Sequence, residues 1–239
     1  MYLFVNDIPI TILKPGGAPP DGEVNHRIDA SVDTLSKAHL INHLWIDHAG
    51  IDDLALVLDL INSNVPLNVL SIFVTVKDYK ETKSFLRKKY RVVNAAGGLI
   101  VKKDRFLLIH RMDKWDLPKG KKDPGESSRV TAQREVLEEC NIEVKVGRRL
   151  VTTWHTYTMN RRNMLKRTRW YLMEVVDDSD MKPETREQIQ DIKWMNRKEV
   201  YHALENSYNS IRFVFASYYE ALEKEGRRKR ALPGSRSRS

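Results

Sequence analysis

Residues 120–142 combine a turn with a helix that carries an unusual concentration of charge. The second half of this segment contains no Gly or Pro and follows a turn-forming sequence at residues 123–125, so it is predicted to be a helix capped by Ser127 or Ser128. One side of that helix is apolar and is expected to face a hydrophobic core. This side consists of Val130, Val136, Leu137 and Cys140.

The opposite side of the helix carries Glu135, Glu138 and Glu139, which fall within an arc of about 100°. Like charges at these spacings each cost roughly a few tenths of a kcal/mol, and the single guanidinium of Arg134 cannot neutralise three carboxylates. Mg²⁺ accepts carboxylate oxygens and binds substrate phosphates in its remaining positions. The spacing therefore predicts a divalent-metal site, whereas a solvated acidic helix face is the simpler alternative for these three glutamates taken alone.

The order of the surrounding residues favours the metal site. Five residues separate a glycine from a glutamate, seven more precede an Arg-Glu pair, and a Glu-Glu pair and an aliphatic residue follow. This order resembles the Nudix box of the Nudix hydrolases, with Asn141 in place of the last glycine. Asn is tolerated at the left-handed position that ends a helix, so the replacement fits the pattern. The matching residues are Gly120, Glu126, Arg134, Glu135, Glu138, Glu139 and Ile142.

The resemblance implies an α/β/α sandwich with a mixed β-sheet, and a hydrolase that depends on Mg²⁺ or Mn²⁺. Arg134 would orient the carboxylates. A metal-activated water would attack phosphorus in line, with Glu138 as the first choice of base and Glu187 or Glu184 as the second. The implied metal ligands are Gly120, Glu126, Glu135, Glu138 and Glu139.

The sequence WDLPKGK before the box is similar to the Nudix branch that acts on dinucleoside polyphosphates, mRNA caps and diphosphoinositol phosphates. Trp115 or Tyr157 could stack on a base. Each aromatic could instead belong to the core, and each cation near the box could be an ordinary surface charge. The cationic candidates for binding a polyphosphate are Arg111, Lys119, Lys121 and Lys166.

Residues 1–92 are predicted to form a small α/β domain that precedes the Nudix unit, because β-rich runs alternate there with helical segments. Its role is open between dimerisation and closure over a substrate. The expected elements are a hairpin at residues 1–13, helices at residues 33–43, 52–63 and 79–90, and a strand at residues 69–76. Four histidines without a suitably spaced acidic or sulfur ligand are expected to be ordinary surface or capping residues, namely His26, His39, His43 and His48.

Residues 93–224 are predicted to form the Nudix hydrolase domain. Two long strands flank a turn at residues 159–163, and alternation along the second strand is expected to place Lys and Arg side chains on one sheet face. Helices at residues 197–204 and 207–224 would close the domain.

Residues 225–239 are predicted to be a disordered basic tail. The sequence after Gly226 contains six basic residues and no acidic one, out of a net charge of +9 for the chain. A solubilising end is the simpler interpretation of this tail. A salt-sensitive contact with nucleic acid is possible through this tail alone.

Composition limits the remaining classes of protein. The sequence has no run of 18 apolar residues, and its first residues, MYLFVNDIPI, lack the basic start of a signal peptide, so no membrane contact is expected. A single cysteine, Cys140, excludes an internal disulfide and fits a cytoplasmic protein.

Three functions are compatible with these observations. The first is hydrolysis of a nucleoside or dinucleoside polyphosphate, similar to diadenosine tetraphosphate, with magnesium. The second is hydrolysis of RNA 5′ ends or of a diphosphoinositol phosphate. The third is a non-catalytic nucleotide sensor, which the intact set of carboxylates disfavours because a pure binder does not need all of them.

Overall fold

The computed structural model describes residues 1–63 and 67–231. Its strands are β1 (Tyr2–Val5), β2 (Ile8–Leu13), β3 (His26–Asp29), β4 (Ile41–Ala49), β5 (Asn68–Val76), β6 (Arg91–Lys102), β7 (Arg105–Arg111), β8 (Lys114–Asp116), β9 (Lys119–Lys121), β10 (Glu143–Met159), β11 (Arg162–Asp177) and β12 (Ile189–Met195). Its helices are α1 (Ile51–Asn62), α2 (Tyr79–Lys89), α3 (Ser128–Cys140), α4 (Arg197–Glu205) and α5 (Asn209–Ala231).

All of these strands belong to one mixed sheet. Its order is β12-β7-β6-β11-β10-β1-β2-β5-β4-β3, with β8 added to β7 and β9 added to β6. The join between the two parts of the chain is a parallel pairing of β1 with β10, which places Phe4 opposite His155. The N-terminal residues therefore extend the sheet of the box-containing part instead of building a sheet of their own.

The β1–β2 hairpin begins this extension. Asn6 and Asp7 form its two-residue turn with φ values of 48° and 63°, the left-handed geometry that tight hairpins favour and that Asn and Asp adopt most readily after Gly. The amino group of Met1 donates to the carbonyl of Ile12 at 2.6 Å, which ties the start of the chain to β2.

The two helices predicted within residues 52–63 and 79–90 are present as α1 and α2. The Asp78 side chain caps α2 by accepting from the backbone N–H groups of Lys80 and Glu81. The helix predicted at residues 33–43 is wrong, because only a 3-10 turn at Lys37–His39 forms before β4 begins. Leu44 and Ile46 are both buried in β4, so this segment follows the strand period of two.

Three helices cover one face of the sheet, which we call face A, and two cover the other, face B. Leu165 packs in the cluster beneath α1 and α2, and Tyr171 packs in the cluster beneath α3. These two β11 residues are an even number of positions apart, so they point to the same face, and α1, α2 and α3 share face A. Trp170 points the opposite way and packs with α4 and α5 on face B.

The helix α5 runs beyond the Lys224 end predicted for it and continues to Ala231. Residues 225–231, the first part of the predicted tail, are therefore helical in this structure. The rest of the predicted tail, residues 232–239, lies outside the described residues.

Candidate active site

The helix α3 has the ends that the sequence predicts. The Ser127 side chain accepts from the backbone N–H of Val130 at its start, and Asn141 ends it in the left-handed region with φ of 52°. The side-chain Nδ2 of Asn141 also donates to the backbone carbonyl of Asp180 at 2.7 Å.

The buried side of α3 differs from the predicted one. Val130 and Leu137 are about half exposed, at 51% and 47%, so their assignment to the core is wrong. The helix is turned so that Val136 and Cys140 pack on face A together with two of the carboxylates. The buried residues are Thr131, Ala132, Glu135, Val136, Glu139 and Cys140.

Three carboxylates converge at this buried side. Glu135, Glu139 and Glu187 each offer an oxygen, and these oxygens all lie within 4.8 Å of one another. Glu135 is 4% exposed and Glu139 is 0% exposed, so both would be costly to hold as unpaired anions. Glu187 comes from the short 3-10 helix Thr185–Glu187 that precedes β12.

Gly120 gives these carboxylates their room. It lies in β9 opposite Ala96 of β6, and a Cβ atom at this position would overlap the carboxylate of Glu135. Any side chain at residue 120 would therefore force the Glu135 carboxylate out of its present position.

Arg134 holds the carboxylates at the rim of the site. Its guanidinium donates to Glu126 Oε1 at 2.8 Å, to Glu138 Oε2 at 2.7 Å and to the carbonyl of Lys121 at 3.0 Å. The hydrogen bond from Arg134 is the main reason that the pKa of Glu126 falls to about 2. Glu138 is half exposed and lies outside the group of three carboxylates.

The electrostatics of the buried carboxylates fit a divalent cation. Burial raises the pKa of Glu139 to about 8, against the opposing effect of Lys119, and burial also raises the pKa of Glu135. Glu139 Oε2 accepts from the Lys119 backbone N–H at 2.9 Å, but Oε1 has no hydrogen-bond partner among the described residues. An all-oxygen donor set with an unpartnered buried atom suits Mg²⁺ or Mn²⁺.

A cavity of about 580 Å³ opens beside these carboxylates. Its lining includes three cations, Arg111, Lys119 and Lys166. Arg111 Nη1 lies 3.6 Å from Glu139 and 3.5 Å from Glu187, so the cations and the carboxylate group adjoin. Lys119 is also paired with the buried Asp116 in the wall of the cavity.

Parts of the chain far from the box in sequence also line the cavity. Phe4 and Asp7 of the β1–β2 hairpin and Tyr208 before α5 line it. Asp7 Oδ1 accepts from the backbone N–H of Asn209 at 2.9 Å, which joins the hairpin to the start of α5. Thr168 is buried in the same wall, and its hydroxyl has no hydrogen-bond partner among the described residues.

The structure separates the predicted substrate residues into two groups. Arg111, Lys119, Tyr157 and Lys166 line the cavity. Lys121 is exposed, and Trp115 belongs to a different surface depression with Trp194. Lys166 alternates away from Arg167 and Arg169, so the expectation of Lys and Arg side chains on one face holds only for the arginines.

Several cavity residues escaped the sequence analysis. His155 and Thr168 could have been found from the period of two in β10 and β11, because each shares a face with Lys166. Phe4 and Asp7 carried no such signal, since only the pairing of β1 with β10 brings them there. Of the four N-terminal histidines, His43 contacts Ser71 at 2.7 Å and His48 contacts Asp29 at 3.0 Å, as expected of ordinary polar residues.

The fold and the carboxylate site define a class of hydrolase, and the family comparison agrees. The model of the NUDIX domain matches residues 91–216, more than half of the chain. The protein therefore belongs to the Nudix family and is a hydrolase of phosphorus-containing anhydrides. Within the described residues, no helix is long and apolar enough to cross a membrane.

Solved structures with a similar fold include a NUDIX hydrolase from Nitrosomonas europaea, which is 20% identical with a TM-score of 0.47 over 55% of this chain and 90% of that one. A MutT NUDIX hydrolase from Burkholderia pseudomallei is 21% identical, with a TM-score of 0.44 over 53% and 98% of the two chains. The C. elegans Ap4A hydrolase is 23% identical, with a TM-score of 0.42 over 55% and 98%.

Proposed function

We propose that this protein is a magnesium-dependent hydrolase that cleaves a phosphoanhydride bond in a nucleoside or dinucleoside polyphosphate. The observation that carries the proposal is one cavity in which three cations adjoin the converging carboxylates and aromatic side chains complete the lining. A nucleoside polyphosphate offers phosphate groups for the cations and a base for the aromatic side chains of this lining.

Glu135, Glu139 and Glu187 would hold the metal, and Gly120 leaves the space that the Glu135 carboxylate occupies. When bound, the metal supplies charge stabilisation at the phosphate oxygens and lowers the pKa of a water. Arg134 keeps Glu126 and Glu138 in place at the rim through its fork of donors. The role of Glu126 in this proposal is to anchor that arginine.

The phosphate chain would lie along Arg111, Lys119 and Lys166. Burial, followed by the charge of Lys119, lowers the pKa of Lys166, so an anion between the two lysines relieves an existing repulsion. Arg111 reaches toward both Glu139 and Glu187, and therefore positions the phosphate next to the reacting water.

Glu187 is the base in this proposal. It lies in the carboxylate group yet retains partial exposure, with a side chain that is 39% exposed, so it can accept the proton of the attacking water and release it to solvent. Glu138, which the sequence favoured, is held by Arg134 on the outer side of the helix.

Residues 1–92 serve this site by completing its wall. Phe4 and Asp7 line the cavity in which the nucleoside would bind, and Tyr157 adds an aromatic ring to the same lining. This contribution supports closure over the substrate as the role of the N-terminal part.

The test is a screen of nucleoside and dinucleoside polyphosphates, with capped RNA and a diphosphoinositol phosphate included. Release of phosphate or nucleotide from the first class should require Mg²⁺ or Mn²⁺ and stop when a chelator is added. Full turnover in metal-free protein would overturn the mechanism. Preference for capped RNA or for the inositol compound would overturn the substrate class alone.

A further inference from the structure

Four arginines gather on face A of the sheet, between the helices α2 and α3. Arg167 and Arg169 rise from β11, Arg149 lies on β10 opposite Tyr171, and Arg87 lies on α2. We call these four residues the arginine cluster. The sheet is exposed to solvent at the arginine cluster. Asn94, which pairs with Arg167, is exposed even though its strand β6 lies in the interior of the sheet.

The positive charge of the arginine cluster is not neutralised within the described part of the chain. Elsewhere Arg27 pairs with Asp47 and Arg148 pairs with Glu225, but none of the four cluster residues forms an ion pair with a described carboxylate. Burial lowers the pKa of Arg167, and the neighbouring charges that add to this effect are the other three cluster residues. Such crowding is unfavourable unless an anion joins it.

Hydrogen-bonding capacity in the cluster is also unused. The Nε atom of Arg167 is buried and has no hydrogen-bond partner among the described residues. Arg169 Nη1 donates to Ser128 Oγ at 2.6 Å, which fixes that side chain and leaves its other donors for a ligand. The guanidinium fork matches the oxygens of a phosphate group.

The aromatic rings next to the cluster are already covered. The guanidinium of Arg167 lies 5.3 Å from the ring centre of Trp154, and that of Arg129 lies 5.3 Å from the ring centre of Tyr171. Proteins that bind single-stranded nucleic acid use exposed aromatic rings as platforms for bases. These rings are not free for that purpose, so recognition here depends on phosphate groups.

The cluster is distinct from the substrate cavity. Lys166 and Thr168 line the cavity, whereas Arg167 and Arg169 alternate with them along β11 and point to the opposite face. A ligand in the cavity and a ligand on the cluster therefore occupy different sides of the sheet.

We propose that the arginine cluster is a second anion-binding site, which takes an oligophosphate with two or more linked phosphate groups and recognises it through phosphate oxygens.

The probe is inorganic tripolyphosphate, titrated calorimetrically into the full chain with a chelator present and at low salt. The variant that combines Arg167→Gln with Arg169→Gln should weaken binding at one site by at least about tenfold, because it removes charge-assisted contacts. Lys166→Gln, one position away on the other face, is the matched control and should leave that site intact. Unchanged binding in the double variant would overturn the proposal, as would loss of all binding in Lys166→Gln.

Folding of the double variant is checked by its melting temperature without ligand, which should equal or exceed that of the wild type because repulsion is relieved. If the double variant does not fold, Arg149→Gln replaces it, since Arg149 is exposed and should weaken the same site. A single-stranded RNA oligonucleotide provides a separate arm. Binding of RNA to the cluster without binding of tripolyphosphate would refute the ligand class.

Discussion

His155 lies in the wall of the cavity, and the folded protein holds its imidazole neutral. Burial lowers the pKa of this histidine to about 4, and the positive charges of Lys166 and Lys119 add to the shift. The unfolded chain returns it to its ordinary value of 6.5. Because the unfolded state then binds more protons, the stability due to a neutral His155 is present above pH 6.5 and is lost as the pH falls toward 4.

The size of this effect follows from the two pKa values. Between about pH 7.5 and about pH 5, His155 should remove about 2 kcal/mol from the free energy of unfolding. Glu139 titrates in the same range, since burial raises its pKa to about 8, so the wild-type curve alone does not isolate the histidine. His155→Gln is neutral throughout and provides the comparison.

The assay is urea denaturation of both proteins at both pH values, with a chelator present. We subtract the unfolding free energy of the wild type from that of His155→Gln at each pH. This difference should be about 2 kcal/mol more favourable to the variant at the lower pH than at the higher pH. His202→Gln, at an exposed histidine on α4, is the matched control and should shift far less. If the difference in unfolding free energy between the wild type and His155→Gln is the same at both pH values to within about 0.5 kcal/mol, the His155 ring is solvated in the folded protein and the argument is refuted.

Three further predictions concern the carboxylate site and the end of the chain. In a steady-state assay, Glu187→Gln should lower turnover by at least about a hundredfold, and Glu138→Gln should lower it by less than about tenfold. The reverse order would place the base at Glu138. Gly120→Ala should displace the Glu135 carboxylate and reduce the rise in melting temperature that Mg²⁺ gives, and an unchanged rise would remove the steric argument. Deletion of residues 232–239 should leave hydrolysis of a small nucleotide within about twofold, and abolished activity would assign the tail a direct role.

Much of the fold could be predicted from local sequence. The helices predicted at residues 52–63 and 79–90 have local causes, because α1 buries four apolar residues and Asp78 caps α2. The mixed α/β class of the Nudix unit was also confirmed. It could be predicted because the box is a strongly specified local pattern. The first residues of β4 were assigned to the helix at residues 33–43, because Asn42 and His43 weaken the alternation that Leu44 and Ile46 provide.

The candidate site could be predicted only in part, for a different physical reason. The spacing of glutamates fixes which of them share a side of α3, but it does not fix how far the helix is rotated toward the sheet. The rotation of α3 depends on its packing against Ala96 and Ile100. In the observed orientation Glu135 and Glu139 are buried and Leu137 is exposed. Glu187 approaches through a loop, whose path no periodic pattern specifies.

The continuous sheet explains why the N-terminal part belongs to the site and is not merely attached to it. Without β1, the strand β10 would present unpaired backbone groups along an edge of the Nudix unit. Pairing with β1 satisfies those groups, brings Leu3 beside Trp154, and packs Leu165 into the cluster beneath α1 and α2. The same register carries Phe4 opposite His155, so the contact that stabilises the edge also places the β1–β2 hairpin in the wall of the cavity.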